Sequence, residues 1–143
     1  MDLYLQAAIE EAHKGVEEGG IPIGSVLVLD GKIIGRGHNR QAQSRRASAH
    51  AEMECIDSAG FLTNEQYHRS TLYTTLSPCY MCSGAIVFFK IPKVVIAENT
   101  NIQGGEDFLR SMGVEVEILN DPTCITMLRD FDTQYPGRWM KGE

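Results

Sequence analysis

Two periodicities organise the apolar positions of this chain. Leu5, Ile9, Ala12 and Val16 recur at helical spacing and Gly19-Gly20 end the run, so residues 2–18 are expected to form a helix. Residues 25–29 (SVLVL) and 32–35 are short strand-like runs, and the Asp30-Gly31 pair between them is a strong two-residue hairpin signal. Residues 49–59 read as a helix closed by Gly60, and the β-branched and aromatic run 71–76 (TLYTTL) as a strand. Pro78 is expected in the first turn of a helix reaching about Phe89. The continuous apolar run 94–97 suits a central strand covered on both faces. Residues 105–112 read as a helix, 114–119 as a strand, and Asp121-Pro122 as the cap and first turn of a last helix to about Tyr135. The order α-β-β-α-β-α-β-α-β-α predicts an α/β fold, a three-layer α/β/α sandwich around a mixed five-stranded sheet. Because a helix separates the last two strands, they are expected to be parallel.

Length and charge narrow the function. At 143 residues the chain is expected to be a single domain over residues 1–143, long enough for its own core. No apolar run approaches a membrane span, and the opening Met1-Asp2-Leu3-Tyr4 is acidic where a signal peptide would be basic. A cytoplasmic protein with no membrane association is the expectation. The formal net charge of −6 disfavours bulk capture of nucleic acid. Arg36, Arg40, Arg45 and Arg46 are the local exception, a solvated loop or alternatively a phosphate-reading patch.

Two fragments carry candidate chemistry: His50-Ala51-Glu52 and Pro78-Cys79-Tyr80-Met81-Cys82. A shuffled chain of this composition gives about 0.3 His-x-Glu pairs but only about 0.08 Cys-x-x-Cys pairs, so the second fragment lends weight to the first. Both fall at expected helix N-termini, where the dipole favours thiolates. Cys79 and Cys82, three apart, share one helix face. Two thiolates and the His50 imidazole suit Zn²⁺, with the fourth tetrahedral position open as in a catalytic site. The rival readings of the cysteine pair, a redox dithiol or two buried thiols, leave His50 and Glu52 without a role. Glu52 is either a first-turn glutamate favoured by the dipole or a proton shuttle beside the metal. Cys55 and Cys124 lack metal spacing and read as core thiols.

His-Ala-Glu followed by Pro-Cys-x-x-Cys resembles the zinc-dependent nucleobase and nucleoside deaminases. The stretches 18–24 (EGGIPIG), 35–39 (GRGHN) and 72–79 (LYTTLSPC), with Gly84-Ala85-Ile86, Ile91-Pro92 and Glu98-Asn99, are similar to the fungal type of cytosine deaminase. The similarity runs from the first helix to about Trp139. It implies one zinc per chain on His50, Cys79 and Cys82, with Glu52 as general acid/base. Asn39 and the backbone N–H of Ala51 would meet the carbonyl edge of the base, and the Ser77 carbonyl the departing amino group. Leu76, Ile102 and Trp139 would wall the pocket. The implied reaction is hydrolytic deamination, with zinc making water nucleophilic and Glu52 carrying protons to the ring and the leaving ammonia. A homodimer is implied as well. Read as a residue alone, Asn39 is an ordinary turn asparagine.

The chain also departs from that pattern. Ile102 replaces a large aromatic, and Gly142 stands where the fungal enzymes carry an aspartate, leaving Glu143 as the candidate partner for the polar edge of the base or as a frayed terminus. The substrate is therefore expected to be a free aminopyrimidine, cytosine or isocytosine. The alternatives are tRNA adenosine or guanine deamination, or a zinc-stabilised binding module without activity. A nucleoside cytidine deaminase would need antiparallel final strands.

Overall fold

The computed structural model describes residues 2–139. Helix α1 (Leu3–Glu17) starts at an Asp2 cap whose carboxylate accepts from the N–H groups of Tyr4 and Leu5. Strands β1 (Gly24–Leu29) and β2 (Lys32–His38) form the expected hairpin. Its turn has positive φ at both Asp30 (50°) and Gly31 (78°), the geometry that matches strand twist. There follow α2 (Gln41–Ser44), α3 (Ala51–Ala59), α4 (Asn64–His68), β3 (Ser70–Thr74), α5 (Tyr80–Phe88), β4 (Lys93–Ile96), α6 (Glu106–Ser111), β5 (Glu115–Ile118) and α7 (Pro122–Gln134).

The five strands form one sheet in the order β2-β1-β3-β4-β5. β1 is antiparallel to β2 and β3, whereas β3, β4 and β5 run parallel. Strand alternation sorts the layers. Leu27, Leu72, Val94 and Ile96 face α3, α5 and α6 in the larger core with Cys55, Ile86 and Leu109. On the other face, Val26 and Val28 pack with Ala7 of α1, and Leu5 and Ile9 meet Cys124 of α7. The expected sandwich and its parallel last strands are both present. Among the described residues no helix is long and apolar enough to cross a membrane.

Three expectations need correction. Pro78 lies outside its helix: α5 begins at Tyr80, and Cys79 is the N-cap. Strand β2 continues to His38, because Gly35 and Gly37 allow α3 to rest directly on it. The short helices α2 and α4 were not anticipated, although α4 carries a full capping box between Thr63 and Gln66.

Two of the four clustered arginines are paired with carboxylates, while Arg40 and Arg45 are exposed. Arg36 meets Glu10 and Glu11, and Arg46 meets Glu54. Glu11 is also bound by Lys14 (2.9 Å) and by His38 Nδ1 (3.0 Å), while His38 Nε2 reaches Glu18 (2.9 Å). Burial works against ionisation of Glu11, but hydrogen bonds from His38, Lys14 and Arg36 hold its pKa down at about 2.

Two predictions follow from this packing. A Cβ at position 37 would collide with the backbone of Cys55 and stand 2.8 Å from Ala51 O. Gly37→Ala should therefore cost about 1–3 kcal/mol in denaturant unfolding; an unchanged midpoint would show that α3 can slide. Because the folded pKa of Glu11 is depressed below 4.5, its contribution is complete above that value and is lost as pH falls toward 2. The stability difference between wild type and Glu11→Gln should thus shrink between about pH 5 and about pH 3. A difference constant across that range would count against the network.

Candidate active site

Four segments converge at one end of the sheet. Thr75 N bonds Gly24 O (3.0 Å), Asn39 N bonds Ile23 O (2.9 Å), Ala97 N bonds Thr74 O (2.9 Å) and Ser77 N bonds Glu98 O (3.0 Å). This is the carboxyl end of the parallel strands, where α/β sheets bind ligands. Onto it point the N-termini of α3 and α5.

His50 is the N-cap of α3 and Cys79 the N-cap of α5, both in extended backbone, with Cys82 three residues into α5. Cys79 Sγ and Cys82 Sγ lie 3.5 and 3.6 Å from His50 Nδ1. Zinc–sulfur and zinc–nitrogen bonds of ordinary length span a tetrahedral edge of about 3.6 Å. The three donors are therefore spaced to hold zinc. Among the described residues no fourth protein ligand joins the cluster, which leaves one coordination position open.

The electrostatics follow from contact and burial. A hydrogen bond from Cys82, with help from His50, holds the Cys79 thiol down at about 4. Cys82 is pushed up as the donor of that bond and by burial. The bond to Cys79 raises His50. Glu52 is 4% exposed, and burial lifts its carboxyl to about 7 while its own backbone N–H and Cys82 oppose the shift. Cys55 and Cys124 are buried, and burial raises both thiols.

A pocket opens from this cluster, enclosing about 440 Å³ with its mouth included. Asn39, Ala51, Leu76, Ser77, Ile102 and Trp139, the residues that the family resemblance implied, line it. Asn39 is both a turn residue and a pocket residue: its Oδ1 accepts from Gln41 N (3.0 Å) and its Nδ2 donates to Gln41 Oε1 (2.9 Å). Gln41 is anchored in turn on Ala47 O (2.8 Å). Ile23, Gln41 and Gly104 also line the pocket and were not anticipated. Only the Ile-Pro-Ile-Gly stretch could have pointed to Ile23. Glu143 and Gly142 lie outside the described residues.

Residues 1–98 match the model for the cytidine and deoxycytidylate deaminase zinc-binding region. That stretch holds His50, Glu52, Cys79 and Cys82.

The chain belongs to this zinc-binding deaminase family.

Within the family it is 44% identical over 136 residues to a cytosine deaminase of Candida albicans, covering 94% of this chain and 91% of that protein. It is also 48% identical over 95 residues to a tRNA-specific adenosine deaminase of Bacillus subtilis, covering 66% of this chain and 59% of the relative. Among solved structures, a deaminase studied for A-to-I editing of transfer RNA at the wobble position superposes with a TM-score of 0.74 at 29% identity, over 88% of this chain and 99% of that one. A guanine deaminase from Nitrosomonas europaea shares the fold, with a TM-score of 0.74 at 21% identity over 91% of this chain and 83% of the other.

The donor set makes a measurable demand. Purified deaminase should carry about one zinc per chain, and Cys79→Ala should lose it, because a two-donor site forfeits most of the affinity. Elemental analysis decides the matter; stoichiometric zinc in the variant would mean that the metal sits elsewhere.

Proposed function

We propose that this deaminase hydrolyses a free aminopyrimidine base, cytosine or its isomer isocytosine, releasing ammonia. The observation that carries the reading is a single pocket whose lining brings His50, Cys79 and Glu52 together with Asn39, Ser77 and Trp139. His50, Cys79 and Cys82 would hold the metal, which supplies the Lewis acidity that makes water nucleophilic near neutral pH. Glu52 would accept one proton from the attacking water and pass it to the ring nitrogen beside the attacked carbon. It would then take the remaining proton of the hydroxyl added there and give it to the amino group, so that the C–N bond breaks as the new carbonyl forms and ammonia leaves.

The remaining groups orient the base. Asn39, held by Gln41, and the Ala51 N–H at the start of α3 take its carbonyl edge. The Ser77 carbonyl accepts from the amino group. Leu76, Ile102 and Trp139 grip the ring and keep bulk water out. Glu143 would meet the polar edge opposite. A homodimer accompanies this reading, and the exposed Tyr80 and Phe88 on α5 are apolar surface available for it.

Transfer RNA adenosine is the second reading, favoured by the 48% identity to the Bacillus protein. The similarity to the fungal enzyme covers much more of the chain, 94% against 66%, and 91% of that relative against 59%. Pairing of Arg36 and Arg46 with carboxylates also leaves less free positive surface for RNA.

The test is ammonia release by zinc-loaded protein from cytosine, isocytosine, cytidine, adenine, guanine and a tRNA hairpin. One of the two free pyrimidines should give the highest kcat/KM. Faster turnover of cytidine or the hairpin would overturn the substrate class. Glu52→Gln should keep its zinc while turnover drops about 10²–10⁴-fold; activity within a few-fold of wild type would remove Glu52 from the mechanism.

A further inference from the structure

Outside the groups used above, one buried acid touches the pocket from behind. Glu106, 1% exposed, is the first residue of α6, and no cation reaches it in any ion pair of the described residues. Its carboxylate accepts a hydrogen bond from the Ser77 hydroxyl and a second, at 2.9 Å, from the Gly104 N–H. The same N–H lies 3.1 Å from Ser77 Oγ, so the three groups close a triangle. Two of them, Ser77 and Gly104, line the pocket.

The surrounding backbone leaves this triangle little freedom. Gly105 N bonds Pro78 O at 2.8 Å, and a Cβ on Gly104 would collide with that same carbonyl. Segment 102–105 therefore lies directly on the residues that lead into the zinc-ligand helix. Its other end is pegged by Glu98, fully buried, which accepts from Thr100 N (2.8 Å), Asn101 N (3.0 Å) and Asn101 Nδ2 (2.8 Å). Between the two carboxylates the chain has no helix or strand to hold it, yet it carries Ile102 to the pocket wall.

We propose that Glu106 is a positioning residue for the pocket, acting through Ser77 and Gly104 to fix the Ile102 wall and the Ser77 backbone. A buried carboxylate is costly unless its lone pairs are filled. Here the donors that fill them are the groups whose placement shapes the site. Removing the acid leaves the Ser77 hydroxyl without its acceptor and the Gly104 N–H with only the longer bond to Ser77 Oγ, and the wall moves with them. Substrate affinity responds more than the chemical step, because the zinc ligands and Glu52 hang on other helices. The kinetic part of this proposal rests on the free-pyrimidine reading; the structural part does not.

The experiment combines amide exchange with kinetics on zinc-loaded Glu106→Ala, Glu106→Gln, Ser77→Ala and the Glu106→Ala/Ser77→Ala double variant. In Glu106→Ala the Gly104 amide should exchange at least about tenfold faster, with the Leu109 amide in α6 unchanged. KM for the preferred pyrimidine should rise about tenfold or more with kcat within about threefold. Glu106→Gln keeps an acceptor for Gly104 N–H and a partner for Ser77, and should restore both values to near wild type. The double variant should be no worse than the poorer single variant, because one linkage is broken twice.

Unchanged Gly104 exchange in Glu106→Ala overturns the proposal. So does faster exchange with unaltered KM, or multiplicative effects in the double variant. If Glu106→Ala does not fold, Ser77→Ala must produce the same exchange and KM changes by itself, and their absence overturns the proposal equally. If no free pyrimidine is turned over, the substrate reading fails, and Gly104 exchange alone decides whether Glu106 holds the segment.

Discussion

Where β2 passes beneath α3, backbone lies on backbone. Gly35 and Gly37 face α3 without side chains, and a Cβ at position 35 would stand 2.6 Å from Cys55 O. This contact sets the height of α3 above the sheet and so fixes where His50 and Glu52 stand. Cys79 and Cys82 are fixed independently, by β3 and the segment that leaves it. The donor spacing of 3.5–3.6 Å is the meeting of two separately anchored helix starts. An error of one ångström in the α3 packing would pass directly into that spacing, which is why glycine here bears on chemistry as well as on stability.

Burying carboxylates is the second constraint, and the protein meets it in three ways. Glu11 is surrounded by Lys14, Arg36 and His38 and stays charged. Glu98 and Glu106 are filled by backbone N–H, amide and hydroxyl donors instead. Glu52 has only its own backbone N–H and the Cys82 thiol, and burial accordingly lifts it to about 7. Of the four buried glutamates among the described residues, the least satisfied one stands beside the zinc ligands. A proton is easiest to exchange where neither charge state is strongly preferred. The donors denied to Glu52 are supplied to the other three, and it is Glu52 that burial raises.

The sequence disclosed the features whose causes are local. The Asp30-Gly31 hairpin, the Asp121-Pro122 helix start and the parallel order of the last strands depend on neighbouring residues or on connection length. The zinc ligands were legible because metal chemistry needs particular side chains at particular spacings. Pro78 was misplaced by two positions, since a proline before the cap and one in the first turn look alike in sequence. Gln41, Gly104 and Glu106 left no signal. Their importance arises from tertiary contacts across gaps such as the 29 residues between Ser77 and Glu106, and no periodicity encodes these. Asn39 was legible only through family resemblance, because its turn-forming bonds to Gln41 are what an ordinary asparagine would make.

This division between local and tertiary signals also separates the zinc-donor cluster from the rest of the pocket wall. His50, Glu52, Cys79 and Cys82 fall within a span of about thirty residues and ride on helices locked to the sheet. Ile102, Gly104 and Trp139 come later, on segments without regular structure, and are held by side chains and turns. Trp139, for example, reaches the pocket after α7 ends and the chain reverses through Gly137 at φ 82°. Such segments can change in sequence and course without disturbing the sheet, because few ladder hydrogen bonds depend on them. A fold built this way can keep one hydrolytic centre while its later segments reshape what fits against it. In this chain the wall residue on that segment is Ile102, so the brace behind it matters. Ile102 has no polar side-chain atom to anchor it, so its position comes from the backbone on either side, which Glu98 and Glu106 bond.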